Sequence, residues 1–353
     1  MRETSLTAAR VAIDVTLTPG LAADIDAAAE AADPRHHFLR RAWFAAAGGS
    51  GVTTLVARRP DGRTLAALPT RCVGPAALGL RSVPGCYWPF RSFPIAADAE
   101  DAEIAALLSH PIARRALGRA WRLGPINADD PTGLRLAHIA RASGWSLLER
   151  RIATSYGLDI AALRADGAWP RTSTLQKNRW YERRLGRSGE LQWRFVSGGD
   201  WTPAIFDQLA AIEAKSWVAK RGGDAKFLSS HRRIWEAALA DPALASMLNV
   251  NILSIGGAPV AFEFGIETGA TAFAIANSYD EAFAQHSPGR VLVYRSFAAA
   301  MERGVERIDW GAGDSGYKST MGARPGPDIV DWLFVRGPTL ARFIRPFWTR
   351  SGR

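Results

Sequence analysis

The sequence has little of what disulfide, metal and membrane proteins need. Only two cysteines occur, Cys72 and Cys86, which are too few for a disulfide framework and have no metal-binding spacing. No apolar run reaches the roughly 18–20 residues of a membrane span, and the opening MRETSLTAARVAIDV has no continuous apolar core of a signal peptide. These absences predict a cytoplasmic protein without a bound metal.

Several enzyme motifs are missing as well. The sequence contains no H-E-x-x-H, C-x-x-C or G-x-S-x-G, so zinc hydrolase and serine hydrolase chemistry have no support. The spacing G-x-G-x-x-G occurs once, at GAGDSG (311–316), but the glycines and prolines soon after it do not continue as the helix that a dinucleotide-binding motif requires, so NAD is not predicted. The stretch DWGAGDSGYKST (309–320) approaches a phosphate-binding P-loop, but Tyr317 separates the glycine from the lysine and the residues that follow cannot form the required helix. A glycine-rich loop remains at the end of a strand, either a solvated surface loop or a site, and it offers Asp309, Asp314, Tyr317 and Lys318.

Positive charge is abundant and comes from arginine. The net charge is +10, and only five lysines occur, none of them before Lys177. A basic surface suits phosphorylated ligands, nucleic acid or lipid headgroups, although arginine also simply covers solvated surfaces. No basic run interleaved with aromatics appears, so DNA is not predicted as a partner. The segment LARFIRPFWTR near the end (340–350) leaves a peripheral membrane contact open, beside ordinary core packing.

The order of predicted elements is similar in the two halves of the chain. Each half reads as helices, a strand meander, a helix and two further strands, and in the second half the meander is LNVNILSI, VAFEFGI and TAFAIANS. The segment LRADGAWPRTST (163–174) is the best linker. This pattern predicts an α/β protein of two domains, residues 1–160 and 161–353, each with a mixed central sheet flanked by helices.

The stretch QHSPGRVL (285–292) predicts a helix start open to an anion. Ser287 is a preferred N-cap, Pro288 a preferred first helical residue, and Gly289 permits a close approach to the backbone. The unpaired N–H groups at such a helix start bind phosphate, and Arg290 adds a charged donor. The alternative is a plain capped helix start.

Two further side chains are candidate bases. Glu263 lies between two phenylalanines in VAFEFGI, and strand alternation places it on the opposite face from them. Exposure to solvent is the simpler expectation, whereas burial would raise its pKa and make it a general base for a protonated amine. His286 is the second candidate, although a lone loop histidine is usually surface.

The ordered set of motifs resembles a known group. EAKSW (213–217), Tyr279-Asp280, Ser287-Pro288-Gly289, and the segment with Asp309, Gly313 and Tyr317-Lys318 resemble the CelD/BioF-like acetyltransferase group of the GNAT superfamily, which is similar in fold to the Fem-type aminoacyltransferases. The resemblance covers about residues 160–336. The first half looks like the degenerate N-terminal GNAT-like domain of such tandem proteins.

The resemblance implies a site between two splayed parallel strands. Acyl-CoA would lie there as co-substrate, with an oxyanion donor from the strand backbone near Asn277. The donor-binding residues would be Asn277, Gln285, His286, Ser287, Pro288, Gly289 and Arg290. The catalytic residues would be Glu263, Asp309, Tyr317 and Lys318, the last for charge stabilisation or for binding a substrate carboxylate or phosphate. The acceptor-binding residues would be Glu213, Trp217, Tyr279 and Asp314.

The resemblance therefore predicts an N-acyltransferase acting on a small-molecule or sugar-linked amine, in polysaccharide, envelope or lipid biosynthesis. The phosphate loop departs from the common GNAT spacing Q/R-x-x-G-x-G/A, so an aminoacyl-tRNA donor, as in Fem-type enzymes, stays open. The absence of a long heptad arm favours CoA. A non-catalytic GNAT-like binding protein is the third alternative.

Overall fold

The computed structural model describes residues 11–350 apart from 49, 75–78, 86–89, 168, 222–226 and 315, so Cys86 lies outside it. The described strands form one mixed sheet of twelve strands, in the order β1-β2-β3-β4-β5-β12-β6-β11-β10-β9-β8-β7. In chain order the strands are β1 (Asp14–Pro19), β2 (Val52–Arg58), β3 (Thr64–Cys72), β4 (Leu80–Ser82), β5 (Ala120–Asn127), β6 (Trp145–Asp159), β7 (Leu191–Ser197), β8 (Leu248–Ile255), β9 (Ala258–Thr268), β10 (Thr271–Tyr279), β11 (Arg307–Ala312) and β12 (Arg324–Arg336).

Helices flank this sheet, which confirms the predicted mixed α/β class. They are α1 (Asp24–Ala31), α2 (Arg41–Ala46), α3 (Asp101–Ser109), α4 (Pro111–Ala116), α5 (Pro131–Ile139), α6 (Ile160–Ala165), α7 (Thr172–Leu185), α8 (Pro203–Ala214), α9 (Trp217–Arg221), α10 (Phe227–Ala238), α11 (Pro242–Met247), α12 (Pro288–Glu302), α13 (Tyr317–Thr320) and α14 (Pro338–Arg350). Among the described residues, no helix combines the length and apolar character needed to cross a membrane.

The two halves of the chain exchange strands within the sheet. Strand β12, late in the sequence, lies between β5 and β6, and it pairs with β6 from Arg324↔Gly157 to Arg336↔Trp145. Strand β6 in turn pairs with β11 on its other edge. The boundary predicted at residue 160 falls between β6 and α6, and the sheet continues across it.

Aromatic packing joins the halves and fixes α12 above the sheet. Trp43 from α2 packs against Trp235 from α10, with ring centroids 5.9 Å apart, in a core that contains residues of both halves. On the other face Phe297 of α12 meets Trp310 of β11 edge to face at 4.8 Å. Burial of such rings is a dominant stabilising contribution, and here it holds α12 across the strands that carry the candidate site.

Candidate active site

The site is formed where two parallel strands separate. Strands β10 and β11 pair at three positions only, from Thr271↔Arg307 to Phe273↔Asp309. Beyond Phe273, β10 bulges between Ala274 and Ala276 and stays with β9, whereas β11 shifts register after Asp309 and stays with β6. Bulges bend a strand and end its pairing. The two irregularities at the same level therefore open a gap between the strands.

Asp309 lies at the last paired position before this gap. The residue is 5% exposed, and its carboxylate accepts hydrogen bonds from the Asn127 side-chain amide (2.6 Å) and the Gly311 backbone N–H (2.8 Å). Desolvation by burial raises its pKa, against the lowering effect of these two bonds. Asp309 also lines a cleft of about 570 Å³ whose walls come from β6, α6 and the start of β12. A buried carboxylate beside an open cleft is suited to take a proton from a substrate.

The Lys318 side chain is hydrogen-bonded to the backbone at the end of β11. Its ammonium donates to the carbonyl oxygens of Trp310 (2.7 Å), Gly311 (3.3 Å) and Ala312 (3.1 Å), and burial lowers its pKa. These three bonds match the three donors of an ammonium, so the group braces the separated strand. The predicted contact of Lys318 with a charged group of the substrate stays a prediction. The contacts in the structure are those that brace the strand.

Tyr317 spans the gap from the same short helix. The Asn277 side-chain amide of β10 donates to the Tyr317 hydroxyl at 3.4 Å, and the Tyr317 ring packs edge to face on Trp310 of β11 at 5.3 Å. Contacts to both strands place the phenol between them. Tyr317 and Asn277, which were both predicted to be site residues, thus lie close together.

The start of α12 differs from the predicted cap. Ser287 has a left-handed backbone, with φ 49° and ψ 53°, and its side chain makes no capping bond. The turn Glu281–His286 ends directly before it, and the Ser287 N–H closes that turn on the Ala284 carbonyl (3.0 Å). The expectation that Ser287 caps the helix through its side chain is therefore wrong, although the helix begins at Pro288 as predicted.

Gly289 has a packing reason of its own. A Cβ at this buried position would lie 2.9 Å from Cδ1 of Tyr279, so the ring rests directly on the helix start. The close approach predicted for Gly289 is therefore made by Tyr279. Any larger residue at this position would disturb the end of β10.

Polar atoms without partners surround this helix start. In the first turn of α12, the first backbone N–H that bonds to a carbonyl of that turn is that of Val291, which donates to the Ser287 carbonyl at 3.1 Å. The Arg290 guanidinium donates through Nε to Asn178 of α7 at 3.0 Å. Within the described part of the chain, Nη2 of Arg290 and Nδ1 of His286 are buried without a hydrogen-bond partner. Sequence reasoning missed Asn178, whose burial on α7 only the structure shows.

Glu263 is buried under α12, so the simpler expectation of solvent exposure is wrong. Phe262 and Phe264 face the large core on one side of the sheet, and α12 covers the other side. Glu263 accepts a bond from the Asn251 side chain (3.1 Å), and desolvation raises its pKa to about 7. The cavity beside it measures about 10 Å³, which is at most the space of one water.

The remaining predicted residues lie around the turn before α12 and the loop after β11. Glu213 is buried at the end of α8, and Trp217 in α9 is 39% exposed. This segment touches the turn through the Glu281 N–H, which donates to the Lys215 carbonyl at 3.2 Å. Asp314 closes its own loop by accepting from the Gly316 N–H (2.8 Å) and the Ser319 hydroxyl. Gln285 is exposed on the turn.

Comparison with known proteins agrees with this geometry. Residues 172–319 match the family described as acetyltransferase (GNAT) domain. No curated protein matches the chain. Among solved structures, FemX has a TM-score of 0.60 at 12% identity, covering 86% of this chain and 93% of its own. The C-terminal domain of a protein described as a lysylphosphatidylglycerol synthetase from Agrobacterium fabrum has a TM-score of 0.54 at 14% identity, covering 94% and 98%. L-PGS from Bacillus licheniformis has a TM-score of 0.53 at 12% identity, covering 93% and 95%. At these identities the structures share the fold.

Proposed function

Because residues 172–319 match the acetyltransferase (GNAT) domain family, we propose that this chain is an N-acyltransferase that moves an acyl group from acyl-CoA to an amine. The observation that carries the proposal is the opened pair β10–β11, with the start of α12 at one side and a carboxylate-lined cleft at the other. A gap between parallel strands exposes backbone groups that can hold an extended ligand.

The start of α12 fits a pyrophosphate. It offers unpaired backbone N–H groups at the positive end of the helix dipole, and no acidic residue lies in its first turn. The unpartnered Nη2 of Arg290 supplies a charged donor beside them. These features support residues 285–290 as the place where the CoA phosphates bind.

The transfer itself needs few groups. The acceptor amine, freed of its extra proton by the Asp309 carboxylate, attacks the thioester carbonyl carbon, so that a C–N bond forms and the C–S bond breaks. Backbone N–H groups near Asn277 would stabilise the oxyanion, and the Tyr317 hydroxyl would protonate the leaving thiolate. The second proton, which the nitrogen loses as the amide forms, would restore the Tyr317 hydroxyl. Asp309 is favoured over Glu263 as base because it lines the cleft of about 570 Å³, whereas the cavity beside Glu263 holds about 10 Å³.

The acceptor would enter through this cleft. Its volume of about 570 Å³ is in the range of small-molecule sites and accommodates a small or sugar-linked amine. An acceptor in polysaccharide, envelope or lipid biosynthesis is part of the same proposal.

Calorimetric titration with acetyl-CoA and longer acyl-CoAs tests the donor. We expect one site per chain, and Arg290→Gln should weaken binding roughly tenfold through loss of a charged hydrogen bond. Arg179→Gln, an exposed arginine on α7, is the matched control and should bind like the wild type. Gly289 is unsuitable for this test because any side chain there meets Tyr279.

Absence of binding to every acyl-CoA would overturn the proposal. Tight, strongly salt-dependent binding of aminoacyl-tRNA would then support the Fem-like alternative. Binding of neither donor would leave a non-catalytic GNAT-like protein.

A further inference from the structure

Helix α14 carries the two most exposed large apolar side chains of the described structure. Phe343 is 70% exposed and Phe347 is 66% exposed, and their ring centroids lie 5.9 Å apart. The opposite side of the helix is anchored, since Leu340, Ala341, Ile344 and Trp348 pack on residues of β6 and β12. The phenylalanines therefore project from a helix that is fixed to the sheet.

Three other exposed aromatics are each covered by an arginine, and this pair is not. A guanidinium lies over each of the rings of Trp180, Trp193 and Phe195, contributed by Arg184, Arg295 and Arg303. Across the residues that the structure describes, no guanidinium lies over the ring of Phe343 or Phe347, and the aromatic contact that each ring makes is with the other. Their apolar surface faces solvent, which is costly unless something covers it.

Unpaired positive charge accompanies the two rings. Arg342 and Arg345 are exposed, lie three residues apart on α14, and form no ion pair with any described residue. The helix sequence PTLARFIRPFWTR contains no acidic residue, and the whole chain has a net charge of +10. A second copy of this helix would bring like charges together, whereas an anionic apolar surface complements both the arginines and the phenylalanines.

We propose that α14 docks the protein on the surface of a membrane that contains anionic phospholipids. Phe343 and Phe347 enter the boundary between headgroups and acyl chains, while Arg342 and Arg345 contact lipid phosphates. The helix lies in the interface and does not span it. Since two rings and two cations form a small anchor, the association is weak and reversible.

Cosedimentation of the full chain with vesicles tests this surface. Phosphatidylcholine vesicles with phosphatidylglycerol should bind the protein, pure phosphatidylcholine vesicles should bind it far less, and added salt should release it. The double variant Phe343→Ser, Phe347→Ser should lower binding by roughly tenfold or more, because the apolar contribution is lost. Leu134→Ser, which changes a side chain 51% exposed on α5, is the matched control and should bind like the wild type.

A second variant separates charge from apolar insertion. The double variant Arg342→Gln, Arg345→Gln should make vesicle binding less dependent on salt concentration. It also tests the proposal if the phenylalanine variant fails to fold. Unchanged acyltransferase activity on a water-soluble amine shows that each variant is folded. Equal binding to neutral and anionic vesicles, or undiminished binding by both double variants, overturns the proposal. A concentration-dependent dimer that the phenylalanine variant abolishes also overturns it, and would place a second copy on α14.

Discussion

In the part of the chain that the structure describes, each half contains one parallel strand pair, and the two pairs end differently. In the first half β4 and β5 pair from Leu80↔Ala120 to Ser82↔Arg122, and in the second half β10 and β11 pair from Thr271↔Arg307 to Phe273↔Asp309. Both pairs are three positions long. The first pair is then closed by further backbone bonds, and the second opens.

Backbone hydrogen bonds show how the first pair is closed. The Val83 N–H donates to the Arg122 carbonyl (3.1 Å), and Arg91 exchanges bonds with Gly124 (3.1 Å) and Pro125 (3.3 Å) along β5. In the second half the carbonyls of Trp310, Gly311 and Ala312 accept the Lys318 ammonium. The parallel pair is thus a shared scaffold, and only its divergence makes room for a ligand.

The largest effect on activity is expected at Asp309, where the pairing of β10 and β11 ends. Asp309→Asn should lower kcat/KM by roughly 10²–10⁴-fold, because the carboxylate that accepts the amine proton is lost. In the wild type the rate should rise with pH through the raised pKa of Asp309, since the base must be ionised, and the variant should lose this limb. Steady-state kinetics across pH measure both.

Ser82→Ala is the control, because Ser82 lies in the last paired position of the closed pair, opposite Arg122. It should keep its rate within about twofold, as a residue outside the reacting centre does. If Asp309→Asn stays active while Glu263→Gln is inactive, the base is Glu263 and the assignment made from cleft access is wrong.

The second effect concerns stability and Glu263. Its folded pKa of about 7 lies above the ordinary value of 4.5, so the folded state holds the proton more tightly and stability falls as pH rises between these two values. Glu263→Gln should remove this slope and raise the free energy of unfolding at pH 8 by about 3 kcal/mol. Denaturant unfolding at several pH values measures it, with the exposed Glu302→Gln as control. A wild-type stability that is flat from pH 5 to pH 8 would contradict the buried state of Glu263.

The third effect separates bracing from catalysis at Lys318. Lys318→Met should lower the free energy of unfolding by about 1–3 kcal/mol, because three buried carbonyls lose their donor. The kcat at saturating donor should fall much less than in Asp309→Asn. Lys177→Met, on the exposed face of α7, should leave both quantities unchanged. A large loss of kcat with unaltered stability would show that Lys318 acts on the substrate.

Local patterns were sufficient for much of the second half. Alternation predicted the strands β8 to β10, and the Pro-Gly sequence predicted a helix that begins at Pro288. These features depend on residues close in sequence or on a resemblance that spans them. The fold class could therefore be predicted.

Long-range contacts could not be predicted in the same way. Alternation shows which face Glu263 occupies but not that α12 covers that face. The bond between Asn127 and Asp309 joins residues 182 positions apart, and the insertion of β12 between β5 and β6 is equally remote in sequence. Ser287 was assigned a cap from its residue type, whereas the turn before it sets a left-handed backbone. The first failures come from neighbours that are remote in sequence, and the last comes from an adjacent turn that the residue type of Ser287 does not reveal.

The smallest effect is expected at Ser287, where stability measurements test whether the backbone conformation or the hydroxyl is important. A left-handed backbone costs a serine roughly 1–2 kcal/mol and a glycine almost nothing, although glycine adds disorder to the unfolded chain. Ser287→Gly should therefore raise the free energy of unfolding by about 0.5–1 kcal/mol, and Ser287→Ala should be nearly neutral. A capping hydroxyl predicts instead that both variants are less stable than the wild type, alanine by about 1 kcal/mol and glycine by only a few tenths. Acyl-CoA affinity should be unchanged in both variants, because the groups proposed to donate hydrogen bonds to the CoA phosphates are backbone N–H groups and Arg290. A loss of affinity in Ser287→Ala would show that the Ser287 hydroxyl binds the ligand.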